Sequence, residues 1–166
     1  MKKRCVKDTA MKKVMFISST GGHLNELLQL SPLFKKYQYT IVTEKTDSNI
    51  SLKKQYGKKV FYLAYATKHN MLKYMFVFPF NCLRSLYLYL KIRPDTIIST
   101  GSHTAVPMCY IAHFFKKKII YIETFANIYT KTVAGKIVYP IADYFIVQWE
   151  SMLELYPDAE YGGWIF

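Results

Sequence analysis

Two short stretches carry the residue types from which a site for phosphate and hydroxyl groups is made. Ser18-Ser19-Thr20-Gly21-Gly22-His23 leads straight into a segment with Asn25 and Glu26, and Thr100-Gly101-Ser102-His103-Thr104 repeats the plan of hydroxyl, glycine and histidine. Glycine lets a backbone approach a ligand closely and aim free N–H groups at it. A helix starting just beyond adds the positive end of its dipole, about 0.3–1 kcal/mol per unit charge at an exposed site. The spacing therefore points to a phosphate or diphosphate held by Thr20, Gly21 and Gly22 on one bend and by Thr100, Gly101, Ser102 and His103 on the other. The alternative is a tight strand-to-helix turn that needs glycine and binds nothing. Neither stretch is GxGxxG or ends in GK[ST], so dinucleotide and ATP readings have no motif support.

His23 falls in the first turn of the following helix, and a ring at the positive end of a helix dipole suits a proton acceptor. It is the candidate general base for a hydroxyl. Glu26, three residues on, shares its helical face and is expected to orient or polarise the ring. The competing reading makes Glu26 a capping-type carboxylate and His23 a surface ring. A third polar stretch, Glu123-Thr124-Phe125-Ala126-Asn127, follows an apolar run. Glu123 is a candidate to hydrogen-bond ligand hydroxyls, with a buried structural carboxylate as the alternative. Cys5, Cys82 and Cys109 lie far apart, and the histidines at 23, 69, 103 and 113 show no ligand spacing. No metal and no cofactor is expected, and the thiols suit a reducing, cytosolic compartment.

Elements must bring these stretches together. Short apolar runs bounded by polar or glycine turns predict strands at 14–18, 39–43, 60–63, 96–99, 118–122 and 144–147. Helical patterns lie at 23–36, 71–92 (in one piece or two), 104–115 and 132–140, with a short one near 151–155 and a weaker one at 50–55. Alternating strands and helices predict an α/β fold, a doubly wound, mostly parallel Rossmann-like sheet. Ligands bind such sheets at the carboxyl ends of strands, where all three polar stretches would converge. Continuous runs at 14–17, 119–122 and 144–147 read as strands covered on both faces.

Of 166 residues, 51% are apolar and 17% aromatic, too many for a disordered chain, and the formal net charge of +12 calls for an anionic partner. Residues 1–10 hold Lys2, Lys3, Arg4 and Lys7 without an apolar run, so they read as a basic, disordered leader, or as sequence ahead of a second initiator at Met11, rather than a signal peptide. A single domain is expected over 11–166.

Residues 70–93 stand apart. Their charges, Lys73, Arg84 and Lys91, fall on nearly one helical face and leave most of the girth apolar. A helix covering a sheet needs only a stripe, so the excess predicts docking on a membrane surface or a partner. Tyr74, Phe76, Phe78, Phe80 and Leu83 are the expected membrane-facing residues. Spanning is disfavoured by Pro79, Asn81 and Arg84, and by strands of one sheet lying on either side. A greasy core helix is the alternative. No RRM, KH or HTH signature is present, so no nucleic-acid partner is expected.

Taken in order, these motifs resemble the Alg14-like oligosaccharide biosynthesis proteins, and among them the bacterial capsular and exopolysaccharide glycosyltransferase-enhancer subunits. The anchors are Gly21-Gly22-His23 with Glu26, Thr100-Gly101-Ser102-His103, Ile122-Glu123-Thr124-Phe125-Ala126, Gly135-Lys136, Ala142-Asp143, Gln148-Trp149, and Tyr156-Pro157 to Tyr161-Gly162-Gly163. The resemblance implies the N-terminal half of a GT-B glycosyltransferase, the half that receives a lipid-diphosphate-linked saccharide acceptor, and gives Glu123 a role in binding the hydroxyls of that acceptor. The donor-binding half is then expected as a separate nucleotide-sugar-binding subunit, working at the cytosolic face of the membrane. Eukaryotic relatives carry an N-terminal membrane helix, and none is read here, which shifts attachment to 70–93. The apolar Trp164, Ile165 and Phe166 are expected at the partner interface. The rival expectation is a non-catalytic scaffold that enhances its partner without supplying a reactive group.

Overall fold

The run Val14-Met15-Phe16-Ile17 is 4% exposed or less throughout, because both faces of its strand are covered. In the computed structural model, which describes residues 11–66 and 71–165, this strand is β1 (Lys13–Ser18). The leader expected at 1–10, His69 and Phe166 lie outside the described residues. Then come α1 (Gly22–Gln29), β2 (Gln38–Glu44), α2 (Leu52–Tyr56), β3 (Val60–Leu63), α3 (Met71–Ile92), β4 (Thr96–Gly101) and α4 (Val106–Phe114). The chain continues through β5 (Lys118–Ile122), α5 (Val133–Val138), β6 (Tyr144–Val147) and β7 (Glu160–Tyr161).

The seven strands form one sheet in the order β3-β2-β1-β4-β5-β6-β7, and every pair is parallel. This is the doubly wound α/β sheet that strand–helix alternation predicts. Alternate residues of β1 supply two cores. Met15 and Ile17 pack with Leu88, Met108, Ala112 and Val138 beneath α3, α4 and α5, whereas Val14 and Phe16 pack with Leu24, Leu27 and Phe34 beneath α1.

Local departures from expectation have identifiable causes. The helix expected over 23–36 ends at Gln29 and resumes as a 3₁₀ segment, Ser31–Lys36, with Pro32 in its first turn. Proline removes an amide and disfavours α geometry in the residue before it. Residues 71–92 form one helix with Pro79 inside it, not two pieces. In β6, Tyr144 is 41% exposed and Ile146 half-buried, so that run is fully covered only at Phe145 and Val147. β7 pairs only two residues with β6, too few to leave a periodic signal. Among the described residues, no helix is long and apolar enough to cross a membrane.

Candidate functional site

Because β1 and β4 are parallel neighbours, the bends that follow them open on the same rim of the sheet. Their register also shifts there: Ile17 pairs with Ser99, but Ser18 pairs with Gly101. Thr100 is thus the extra residue of a bulge, a device that re-aims backbone groups. Its carbonyl lies 2.8 Å from His23 Nδ1, and its hydroxyl donates to the His23 carbonyl at 2.6 Å. Ser19 N–H donates to the Gly101 carbonyl at 2.9 Å, and Ser102 N–H to Ser19 Oγ at 3.3 Å. The two bends are therefore one hydrogen-bonded unit. Gly101 has φ +93°, and a Cβ there would stand 3.0 Å from Tyr121 Oη and 3.3 Å from the His23 ring, so glycine is required on both counts.

A carbonyl only accepts, so the His23–Thr100 contact places the ring proton on Nδ1 and leaves Nε2 for a further partner. Glu26 does not orient this ring. It is 4% exposed, and Oε1 accepts from Thr124 Oγ1 at 2.7 Å and Phe125 N–H at 3.3 Å, while Oε2 accepts from Gln148 Nε2 at 3.2 Å. Its carboxylate ties α1 to the segment after β5, where helical spacing alone had placed it with His23. Burial, the largest influence, raises its carboxyl above the ordinary value, against the opposing bond from Thr124 and the nearby His23.

Beside the bends lies a cleft of about 600 Å³, lined by Ser19, Thr20, Ser102 and His103 together with Glu44. Glu44 ends β2, is 2% exposed, and was not singled out in the sequence. Oε2 accepts from Thr20 N–H at 3.2 Å and Oε1 from Thr104 Oγ1 at 2.7 Å, with His103 Nε2 3.7 Å from Oε1. Asn49 Nδ2 braces this strand end by donating to the Glu44 carbonyl at 2.7 Å. A buried carboxylate therefore takes the Thr20 amide and couples to His103. The anion-binding amides expected of the first bend are left to Gly21, Gly22 and His23, at the start of α1. His103, Ser19 and Ser102 give the cleft polar groups suited to hydroxyls, Glu44 and Thr132 are held in its wall by their own partners, and Tyr65, Ala66, Val106, Val133 and Ile137 give it an apolar side. His23, half-buried, is not among the lining residues. No group of three or more His, Cys, Asp or Glu is arranged to hold a metal among the described residues.

Glu123 is a structural carboxylate, contrary to the expectation that it serves an acceptor. It is 1% exposed and accepts from Thr124 N–H at 3.0 Å, Thr132 Oγ1 at 2.9 Å and Tyr156 Oη at 2.9 Å. Burial and the neighbouring Glu123 push the Tyr156 phenol up, so it stays a donor. Gly135 fits against this knot because a Cβ would meet Glu123 Oε2, Tyr156 Oη and Thr132 Oγ1.

The expected membrane-facing residues divide. Phe76 is 78%, Leu83 70% and Phe80 50% exposed, joined by Leu72 and Met75. Tyr74 and Phe78 are half-buried, stack at 5.6 Å, and line a small recess that reaches Glu44 and His103. At the other end of the rim, Trp164 is exposed and meets Phe125 and Trp149 at 5.1 and 5.2 Å, while Ile165 N–H donates to Gln148 Oε1.

Comparison with known proteins agrees with this architecture. A family model described as "Oligosaccharide biosynthesis protein Alg14 like" matches residues 14–165. A UDP-N-acetylglucosamine transferase subunit from Schizosaccharomyces pombe, alg14, is 30% identical over 173 residues, 92% of this chain and 82% of that protein. The Mus musculus subunit ALG14 is 28% identical over 178 residues, 91% of this chain and 82% of its own length. Among solved structures, Acinetobacter baumannii MurG superposes with a TM-score of 0.63 at 14% identity, over 82% of this chain but only 41% of that one. At that identity the likeness concerns the fold, that of a GT-B-type enzyme's domain. On the match over 14–165 and the paired glycine bends that fall within it, the chain belongs to the Alg14-like family of oligosaccharide biosynthesis proteins.

Proposed function

We propose that this chain is the acceptor-binding and membrane-docking subunit of a two-component glycosyltransferase. The pair transfers a sugar from a nucleotide sugar to a lipid-diphosphate-linked saccharide at the cytosolic face of the membrane. The observation that carries the reading is the joining of the two glycine bends by His23, Thr100, Ser19 and Gly101 beside one cleft. In this reading the amides of Gly21, Gly22 and His23 meet the diphosphate. His103 and Ser102 meet hydroxyls of the acceptor sugar, with the buried Glu44 behind His103. His23, with its proton on Nδ1, takes the proton of the attacking hydroxyl at Nε2, and the hydroxyl oxygen displaces the nucleoside diphosphate of the donor. Exposed Leu72, Phe76, Phe80 and Leu83 enter the leaflet, which brings a lipid carrier to the apolar wall of the cleft.

The donor half is a separate nucleotide-sugar-binding subunit that docks on the rim near Phe125, Trp149 and Trp164. The names of the relatives make UDP-N-acetylglucosamine the first donor to test. In this reading the product enters capsular or exopolysaccharide assembly, which the resemblance to bacterial enhancer subunits supports. Reconstitution tests the whole reading: transfer to a lipid-diphosphate saccharide should require both chains, and full activity of the partner alone contradicts it.

One observation favours a second reading, the non-catalytic scaffold. His23 is half-buried and lies outside the lining of the cleft. In that case the bends hold the acceptor while the partner supplies any base.

A further inference from the structure

Two cations of α3, Arg84 and Lys91, are aligned along one side of the helix. Arg84 and Lys91 stand one heptad apart, so they share a line that borders the arc exposing Phe76, Phe80, Leu83, Tyr87 and Leu90. That line faces the free edge of the sheet at β3. Arg84 Nε donates to the Tyr62 carbonyl at 2.7 Å, and Lys91 Nζ lies 5.5 Å from the centre of the Phe61 ring. From the opposite bank come Lys45, Lys53 and Lys58, and the groove between measures about 920 Å³. Its described lining holds these five cations and no acidic residue. Among the described residues, none of the five has a carboxylate within 4.0 Å.

Lysines placed on an edge strand can serve only to discourage strand pairing. These charges do not come from β3. They come from the end of β2, from α2 and the turn after it, and from α3, three separate parts of the chain that converge on one groove. Like charges gathered without counter-charges repel one another, and an anion relieves that cost. The groove is also continuous with the apolar arc of α3, since both are built from the same helix.

We propose that the groove along β3 binds the phosphate headgroups of anionic phospholipids in the leaflet that receives the apolar arc of α3. This rests on the docking role given to α3 above and adds a site distinct from the acceptor cleft. Apolar side chains enter the acyl region while Arg84 and Lys91, at the border of the arc, lie at headgroup depth with Lys45, Lys53 and Lys58 behind them. The headgroups fix the rotation of the molecule about α3, and with it the direction in which the cleft opens. A free phosphate or a nucleic acid would satisfy the charges, but neither has use for the apolar arc beside them.

Flotation of the full chain with phosphatidylcholine vesicles, with and without phosphatidylglycerol, tests this. The chain should bind the phosphatidylglycerol vesicles more tightly. Replacing Lys53→Gln and Lys58→Gln together should weaken that binding on the order of twentyfold, about fivefold for each charge near the surface. Binding to pure phosphatidylcholine should not change, and the thermal midpoint should not fall, because removing two of five unpaired like charges relieves repulsion. Equal binding of variant and wild type to phosphatidylglycerol vesicles overturns the groove assignment while leaving the docking of α3 intact. Loss of binding to both kinds of vesicle in Phe76→Ser/Leu83→Ser, with the midpoint unchanged, supports the docking beneath it. A wild type that binds neither vesicle overturns docking and groove together. Full displacement from vesicles by soluble glycerol phosphate or a short RNA, each at vesicle-phosphate concentration, assigns the groove to those ligands and overturns the lipid proposal.

Discussion

His23, in the first turn of α1, and Thr100, in the bulge of β4, hold each other at two points: Nδ1 to carbonyl at 2.8 Å, and hydroxyl to carbonyl at 2.6 Å. Both contacts are made by the bulge residue, Thr100, which stands out of register between β1 and β4. The arrangement fixes the tautomer of the ring and joins the two bends before any ligand arrives, which is the preorganisation that binding and proton transfer both favour.

Gly101 sets the geometry of that pair, so Gly101→Ala should disturb both stability and the ring. A side chain at φ +93° costs roughly 1–2 kcal/mol, and the new Cβ crowds Tyr121 Oη and the His23 imidazole. Urea unfolding should show a loss of at least that size, together with a shifted His23 ring resonance in the NMR spectrum. An unchanged midpoint contradicts the required conformation.

Glu26 gives a dependence on pH. Burial raises its carboxyl above the ordinary value near 4.5, so the folded chain holds that proton more readily than the unfolded one. The stability this contributes is complete below the ordinary range and is lost as pH rises through the raised value. Glu26→Gln removes the titration. Unfolding free energies measured from pH 4 upward should therefore fall more steeply for wild type than for the variant. Parallel curves contradict the account.

Trp164 completes an aromatic cluster with Phe125 and Trp149, and Trp149 Nε1 donates to the Phe125 carbonyl at 2.8 Å. If this cluster, with Trp164 exposed, is where the donor-binding chain docks, Trp164→Ala should weaken the complex by about 2 kcal/mol or more, as centrally placed interface tryptophans do. Calorimetric titration of the partner measures it, and unchanged affinity moves the interface elsewhere.

The rim was readable because its signals are local. Glycine, hydroxyl and histidine stand side by side after an apolar strand in both bends, and parallel topology does the rest. Glu44 was not readable in this way. A single acid at a strand end has no pattern, and its partners Thr20 and Thr104 lie 24 and 60 residues away. Glu26 shows the same limit from the other side. Helical spacing puts it near His23, but its carboxylate turns to Thr124, 98 residues on. Glu123 likewise resembles a site residue only until Thr132 and Tyr156 are seen to occupy it. Side-chain destinations across the sheet are tertiary facts, whereas bends and strands are written in neighbouring residues.

The most direct measurement is the turnover of the reconstituted two-chain enzyme carrying His23→Gln, alongside its affinity for the lipid-diphosphate acceptor and for the partner. The account predicts that turnover falls by about 10²–10⁴-fold, the usual contribution of a general base, with partner affinity unchanged. Turnover equal to wild type, with the acceptor still bound, would mean that the ring performs no proton transfer and that the chain serves its partner as a scaffold.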